Sequence, residues 1–156
     1  MPQSEQPATA AAARTAEQSS GLGKVLIAVY LVLAIAATFR SVYQILTKFD
    51  EAPLAYSLSA VAGLVYIVAT VALIKRGHGA WRAVARWALV FELCGVLIVG
   101  TLSLIAPQLF AHPSVWSQYG IGYVFIPLVL PVLGLLWLRS TGREAAGAPA
   151  RGEGSA

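Results

Sequence analysis

Two residues of this chain carry charge where hydrocarbon would surround them. Arg40 and Glu92 each interrupt a long apolar run. An intramembrane charge costs about 2.5–3.5 kcal/mol on insertion scales, so it needs a partner and marks a functional site by default. The rise of a helix puts Arg40 roughly 9 Å from the outer end of its run and Glu92 roughly 7–8 Å from the inner end of its own. In a core of about 30 Å the vertical gap between them is on the order of 14 Å. Their long side chains also snorkel to opposite faces. A direct salt bridge is not expected, so each needs partners at its own depth.

At Arg40's depth the sequence offers Gln44 one turn on, Ser59, Ser103 and Tyr123. It also offers Pro127 and Pro131, one turn apart, which in a helix would free the carbonyls of Tyr123 and Pro127. Together these make a candidate outer polar pocket. The competing reading is an arginine that snorkels to headgroups beside a helix merely kinked by its prolines. At Glu92's depth lie Tyr30, Tyr66 and Thr70. Glu92 reads either as a protonated carboxyl bonded to one of these hydroxyls, fixing helix register, or as a proton- or cation-linked carboxyl. A third reading pairs it with Arg82 or Arg86 near the inner surface.

Other chemistry finds no footing. The single cysteine, Cys94, lies in an apolar run and reads as a packing residue. Paired-thiol chemistry needs two. His78 and His112 fall in connections, out of reach of a haem or di-iron site among helices. Small multidrug exporters are similar in length but carry their essential Glu in the first span, where this chain has Arg40. Phosphate-cradling glycine motifs and Ser-His-Asp arrangements are absent. The expectation is a non-enzyme with no cofactor and no metal.

The elements that hold these residues follow from composition. Of 156 residues, 58% are hydrophobic and 12% charged, and mean hydropathy is +0.71. Soluble domains carry about 25% charged residues, so a water-soluble fold, a disordered chain and a nucleic-acid-binding module are excluded. Apolar stretches at 25–46, 54–74, 87–106 and 120–138 are each long enough for a core that takes roughly 20 residues to cross. Backbone groups in lipid must pair internally, so each is predicted to be a helix. The first run is too long for a signal h-region of roughly 7–15 residues and is read as retained. Segments 1–23 and 140–156 are rich in small and polar residues and are expected to be disordered tails.

Basic residues give the orientation. Lys24, the group Lys75, Arg76, Arg82 and Arg86, and the pair Arg139 and Arg143 lie on one side; Lys48 stands alone on the other. The positive-inside rule puts both termini in the cytoplasm. Short connections then predict an all-α, up-down-up-down four-helix membrane bundle over 24–139. Trp81, Trp87 and Trp137 are expected as an inner aromatic belt, and Trp116 and Tyr119 as an outer one. The loop 107–119 reads as an amphipathic segment on the outer interface, with Pro113 in its first turn. Small residues along Ala88, Glu92, Gly95, Val99 and Ser103, and along Ser59, Gly63, Tyr66 and Thr70, predict contact faces.

Three segments, RWALVFEL at 86–93, VWSQYGIGY at 115–123 and PLVLPVLGL at 127–135, resemble a family of small four-span actinobacterial integral membrane proteins. The resemblance covers 25–139. It implies four spans in a bacterial plasma membrane and assigns no activity or functional residue. The expected role is a non-catalytic accessory or oligomerising component whose partners are the bilayer and another membrane protein or itself, with no nucleic acid. The alternative is a small proton- or ion-linked transporter using Glu92 or the Arg40 pocket.

Overall fold

The computed structural model describes residues 6–76 and 79–147. The readings placed on 1–5, His78 and 148–156 lie outside the described residues. Among those described, the chain is all-helical, in the order α1 (Gln6–Lys48), α2 (Pro53–Ile74), α3 (Trp81–Ile105) and α4 (Ile126–Gly147), with 3₁₀ helices at Phe49–Glu51, Pro107–Leu109 and Ser117–Tyr123. Consecutive helices pack on one another, most extensively α1 on α2, and α1 also meets α4. Three helices are long and apolar enough to cross a membrane, or four if the bent pair Ser117–Tyr123 and Ile126–Arg143 forms one span.

The distribution of side chains explains why the bundle holds. Its interior mixes small and polar residues with a few large ones: Ala34, Ala37, Ala62, Ala69, Ala85, Ser59, Thr70 and Glu92 are all buried, beside Tyr30, Leu73 and Leu89. Its outside is large and apolar, with Phe39, Leu46, Trp87, Ile105 and Val124 exposed. Lipid tails are as apolar as leucine, so helices in a membrane associate through close packing of small residues. At Gly63 a Cβ would lie 3.4 Å from the Thr38 amide nitrogen, so α1 and α2 approach there nearly backbone to backbone. Both small-residue stripes face inward, with Gly95 half-buried.

Three expectations are revised. The segment read as a disordered N-terminal tail is helical from Gln6, continuous with the first apolar run. Its alanines are the strongest helix formers, a preference that composition alone masks. At 43 residues, α1 extends about 65 Å, twice the hydrocarbon thickness. The segment read as a C-terminal tail likewise continues α4 to Gly147.

The second revision concerns the outer loop, which does not lie on the surface as an amphipathic helix. Pro113 sits outside any helix, and the chain turns inward after it. Val115 and Trp116 are buried to 1% and 2% exposure. Trp116 therefore leaves the expected outer belt and becomes core. Trp137 also leaves the inner belt, being buried under the Arg76 guanidinium at 4.0 Å. Trp87 alone of the three stays broadly exposed, at 72%.

The third revision is that the stretch 120–138 is not one straight helix. The two helical pieces meet at 97°. Gln118, Tyr119, Gly120, Val124 and Phe125 all have positive φ. Gly120 is required twice over: its φ is +80°, and a Cβ there would lie 2.9 Å from the Pro127 ring. Val124, β-branched at φ 54°, holds a strained geometry that costs roughly 1–2 kcal/mol.

Helices α2 and α3 hold this inserted loop, or plug. The Val115 amide donates to Ser59 Oγ at 3.3 Å, and the Gln118 amide donates to Ser103 Oγ at 2.7 Å. Trp116 Nε1 donates to the Tyr66 hydroxyl at 3.2 Å. The Trp116 ring lies where a Cβ on Gly95 would be, and Tyr119 does the same at Gly100. Ser103→Ala strands the Gln118 amide and should cost about 1–3 kcal/mol. Trp116→Ala empties a core position and should cost about 3–5 kcal/mol. Thermal denaturation midpoints in detergent measure both, and two unchanged midpoints would exclude a seated plug.

Candidate functional site

Two polar centres flank the plug. The deeper one is built on Glu92, which α3 carries to the bundle centre at 0% exposure. Tyr30 of α1 donates its hydroxyl to Glu92 Oε2 at 2.7 Å. The Tyr30 and Tyr66 rings lie 6.2 Å apart at a 52° tilt, so Tyr66 adjoins the pair and joins it to Trp116. Glu92 Oε1 is buried and has no hydrogen-bond partner. Thr70 does not join the centre, because its hydroxyl bonds back to the Tyr66 carbonyl of its own helix at 2.7 Å. Of the inner residues named from sequence, the fold thus gathers Glu92, Tyr30 and Tyr66.

The outer centre is built on Arg40. Its Nη1 donates to the Tyr123 hydroxyl at 3.2 Å, and its Nη2 lies 3.4 Å from the Pro113 carbonyl. The guanidinium also stands 6.0 Å from the Tyr123 ring centre. A cavity of about 260 Å³ opens beside it, lined among others by Ser103, Ser114, Ser117, Gln118 and Tyr123. The guanidinium therefore meets a hydroxyl, a loop carbonyl and the cavity.

The rest of the expected outer pocket is rearranged. Ser59 lies outside the cavity lining, accepting from the Val115 amide and donating to the Ala55 carbonyl. Ser103 lines the cavity but serves the plug backbone. Gln44 is half-buried, away from that lining, and its Oε1 has no partner. Pro127 stands in the first turn of α4, where no helical donor is lost and a proline is well tolerated. Tyr123 lies in a 3₁₀ segment before α4, so Pro127 frees no helical carbonyl from it. Pro131 lies inside α4 and leaves only the Pro127 carbonyl without its helical donor. Neither proline lines the cavity.

Sequence reasoning missed Ser114, Trp116 and Ser117 as parts of the interior, and the exposed Pro113 as a carbonyl partner of Arg40. Ser114 and Ser117 bond to each other at 3.0 Å, and the Ser114 amide donates to Ser117 Oγ at 2.9 Å. The available signal was the Ser-x-x-Ser spacing of a self-bonded turn around Trp116, opposite glycines at 95 and 100 on α3. His112, stacked 6.0 Å from Tyr56 and 3.4 Å from Glu51, ties the loop to the α1–α2 connection. Among the described residues, no three His, Cys, Asp or Glu side chains converge as metal ligands.

No protein-family model matches the chain, and no curated protein or solved structure is significantly similar to it.

Two measurements probe these centres. Arg40→Gln combined with Tyr123→Phe should give a coupling above about 0.5 kcal/mol, whereas Arg40→Gln combined with Pro131→Ala should be additive within that margin. The opposite pattern would restore the proline-based pocket. Glu92→Gln keeps an acceptor for Tyr30 and should leave thermal stability nearly unchanged. Glu92→Leu removes the acceptor and should lose about 1 kcal/mol; equal tolerance of both would show that the Tyr30 bond contributes nothing.

Proposed function

We propose that this chain is a non-catalytic membrane component of a bacterial plasma membrane, an accessory or oligomerising protein. It has four spans in up-down-up-down order and both termini in the cytoplasm. The observation that carries the reading is the seated plug. Trp116 fills the interior beside Tyr66 and Gly95, where a conduction path through the bundle would have to run. A filled bundle with a large apolar exterior suits a scaffold that presents surfaces to lipid and to partner helices. The one-sided basic residues support the orientation, and the resemblance of 86–93, 115–123 and 127–135 to small actinobacterial membrane proteins supports the compartment.

One observation favours a second reading, a small proton- or ion-linked transporter. Glu92 Oε1 is buried without a partner, and an unsatisfied polar atom in a packed interior has a cost that function can explain.

Native mass spectrometry of detergent-extracted protein separates the two. The accessory reading expects a defined oligomer or a co-purifying membrane protein, and a partner-free monomer would overturn it. In proteoliposomes under a pH gradient, equal proton leak from wild type and Glu92→Gln is expected; a leak that depends on Glu92 would install the transporter instead. For topology, a reporter fused after Arg143 should be active in the cytoplasm. In a Cys94→Ala background, a cysteine at the exposed Ala111 should react with an impermeant thiol reagent in intact cells. Reaction only after permeabilisation would reverse the orientation.

A further inference from the structure

At the end of the bundle away from the plug, α3 and α4 bring four arginines together. Arg82, Arg86, Arg139 and Arg143 line one open cavity of about 560 Å³, with Gly142 completing it. Each helix contributes an i, i+4 pair, so its two guanidinium groups stand one above the other on the same face. Like charges at that spacing are destabilising, and among the described residues no carboxylate lines the cavity. The ion pairs among the described residues lie elsewhere, joining Lys48 and His112 to Glu51. The arrangement is also shaped. Arg82 donates to the Leu138 carbonyl of α4, and a Cβ on Gly142 would collide with the Arg82 guanidinium. Nearby Arg76 has its pKa lowered, first by burial and then by the Arg82 charge.

We propose that this four-arginine cavity binds a phosphate group carried by an anionic membrane phospholipid. Guanidinium groups match phosphate oxygens through paired N–H donors, and several can share one anion. The position fits a headgroup: Arg86 directly precedes the exposed Trp87, and Arg139 directly follows the apolar run of α4. Aromatic rings with basic residues beside them mark the headgroup level of a bilayer. Basic pockets between helices on the cytoplasmic side are where anionic lipid headgroups bind. The three arginines most open to a ligand, Arg86, Arg139 and Arg143, are exposed, so a lipid reaches them without opening the bundle.

The inference rests on the membrane reading above, but the two fail differently. A chain that stays soluble without detergent would end the membrane reading; loss of arginine dependence would end only this one. The test is native mass spectrometry of delipidated protein titrated with phosphatidylglycerol or phosphatidylcholine. Phosphatidylglycerol should bind preferentially. Its affinity should fall about five-fold for each arginine removed, in R143Q and further in R86Q/R139Q/R143Q. The control K24Q/K48Q should bind as wild type does. Undiminished binding in the triple variant, or equal loss in the control, would overturn the site. If the triple variant does not fold, the exposed single substitution R143Q decides the matter by the same criterion. Displacement of phosphatidylglycerol by inorganic phosphate at millimolar concentration would overturn the lipid as the source of the phosphate.

Discussion

Irregular backbone inside an apolar bundle must find all its hydrogen bonds within the protein. An unpaired peptide group costs several kcal/mol where no water can reach it, and non-helical segments survive at membrane depth only when buried in protein or lining a cavity. The segment from Pro113 to Phe125 answers that constraint in part with side-chain oxygens of neighbouring helices and in part with its own carbonyls. Ser59 takes the Val115 amide, Ser103 takes the Gln118 amide, and Gly120 accepts from the Phe125 amide at 3.0 Å. Ser59 and Tyr66 of α2 and Thr101 and Ser103 of α3 all bond to this segment. What looks like a scatter of serines in apolar helices is the inner surface of a socket.

The two charged side chains occupy opposite sides of that socket and are handled differently. Glu92 is fully enclosed and bonded to one tyrosine. Arg40 lies at the rim, half-buried, where a hydroxyl, a loop carbonyl and a cavity share its charge. Trp116 links the levels, since its ring packs on Gly95 and its indole N–H reaches the tyrosine beside Glu92.

How much of this was legible depended on the kind of signal each element carries. Three apolar helices were plain, because span length is set by bilayer thickness and needs only a run of apolar residues. Gathering Tyr30 and Tyr66 near Glu92 was also legible, since depth along a helix follows from its rise. The plug was not. Val115 and Trp116 are apolar residues in a short connection, and aromatic anchoring at an interface reads identically until the glycines opposite are known to be neighbours. The prolines misled for a related reason. Pro127 and Pro131 free two carbonyls only if the helix already runs through Tyr123, and positive φ at Val124 and Phe125 ends it first. The N-terminal segment misled through composition, which weighs polarity but not the helix preference of its alanines.

The plug's partners belong to different helices, so its seating ties those helices to one another. Ser59 and Tyr66 come from α2, Ser103 and the glycines at 95 and 100 from α3, and the Pro113 carbonyl meets Arg40 of α1. The full set of these bonds is present only when the first three helices stand side by side. Helix α4 begins directly after the plug, and its first helical bond, from the Val129 amide to the Phe125 carbonyl, starts from a residue of the bend itself. A substitution that loosens the plug therefore disturbs the seating of three helices and the start of the fourth at once.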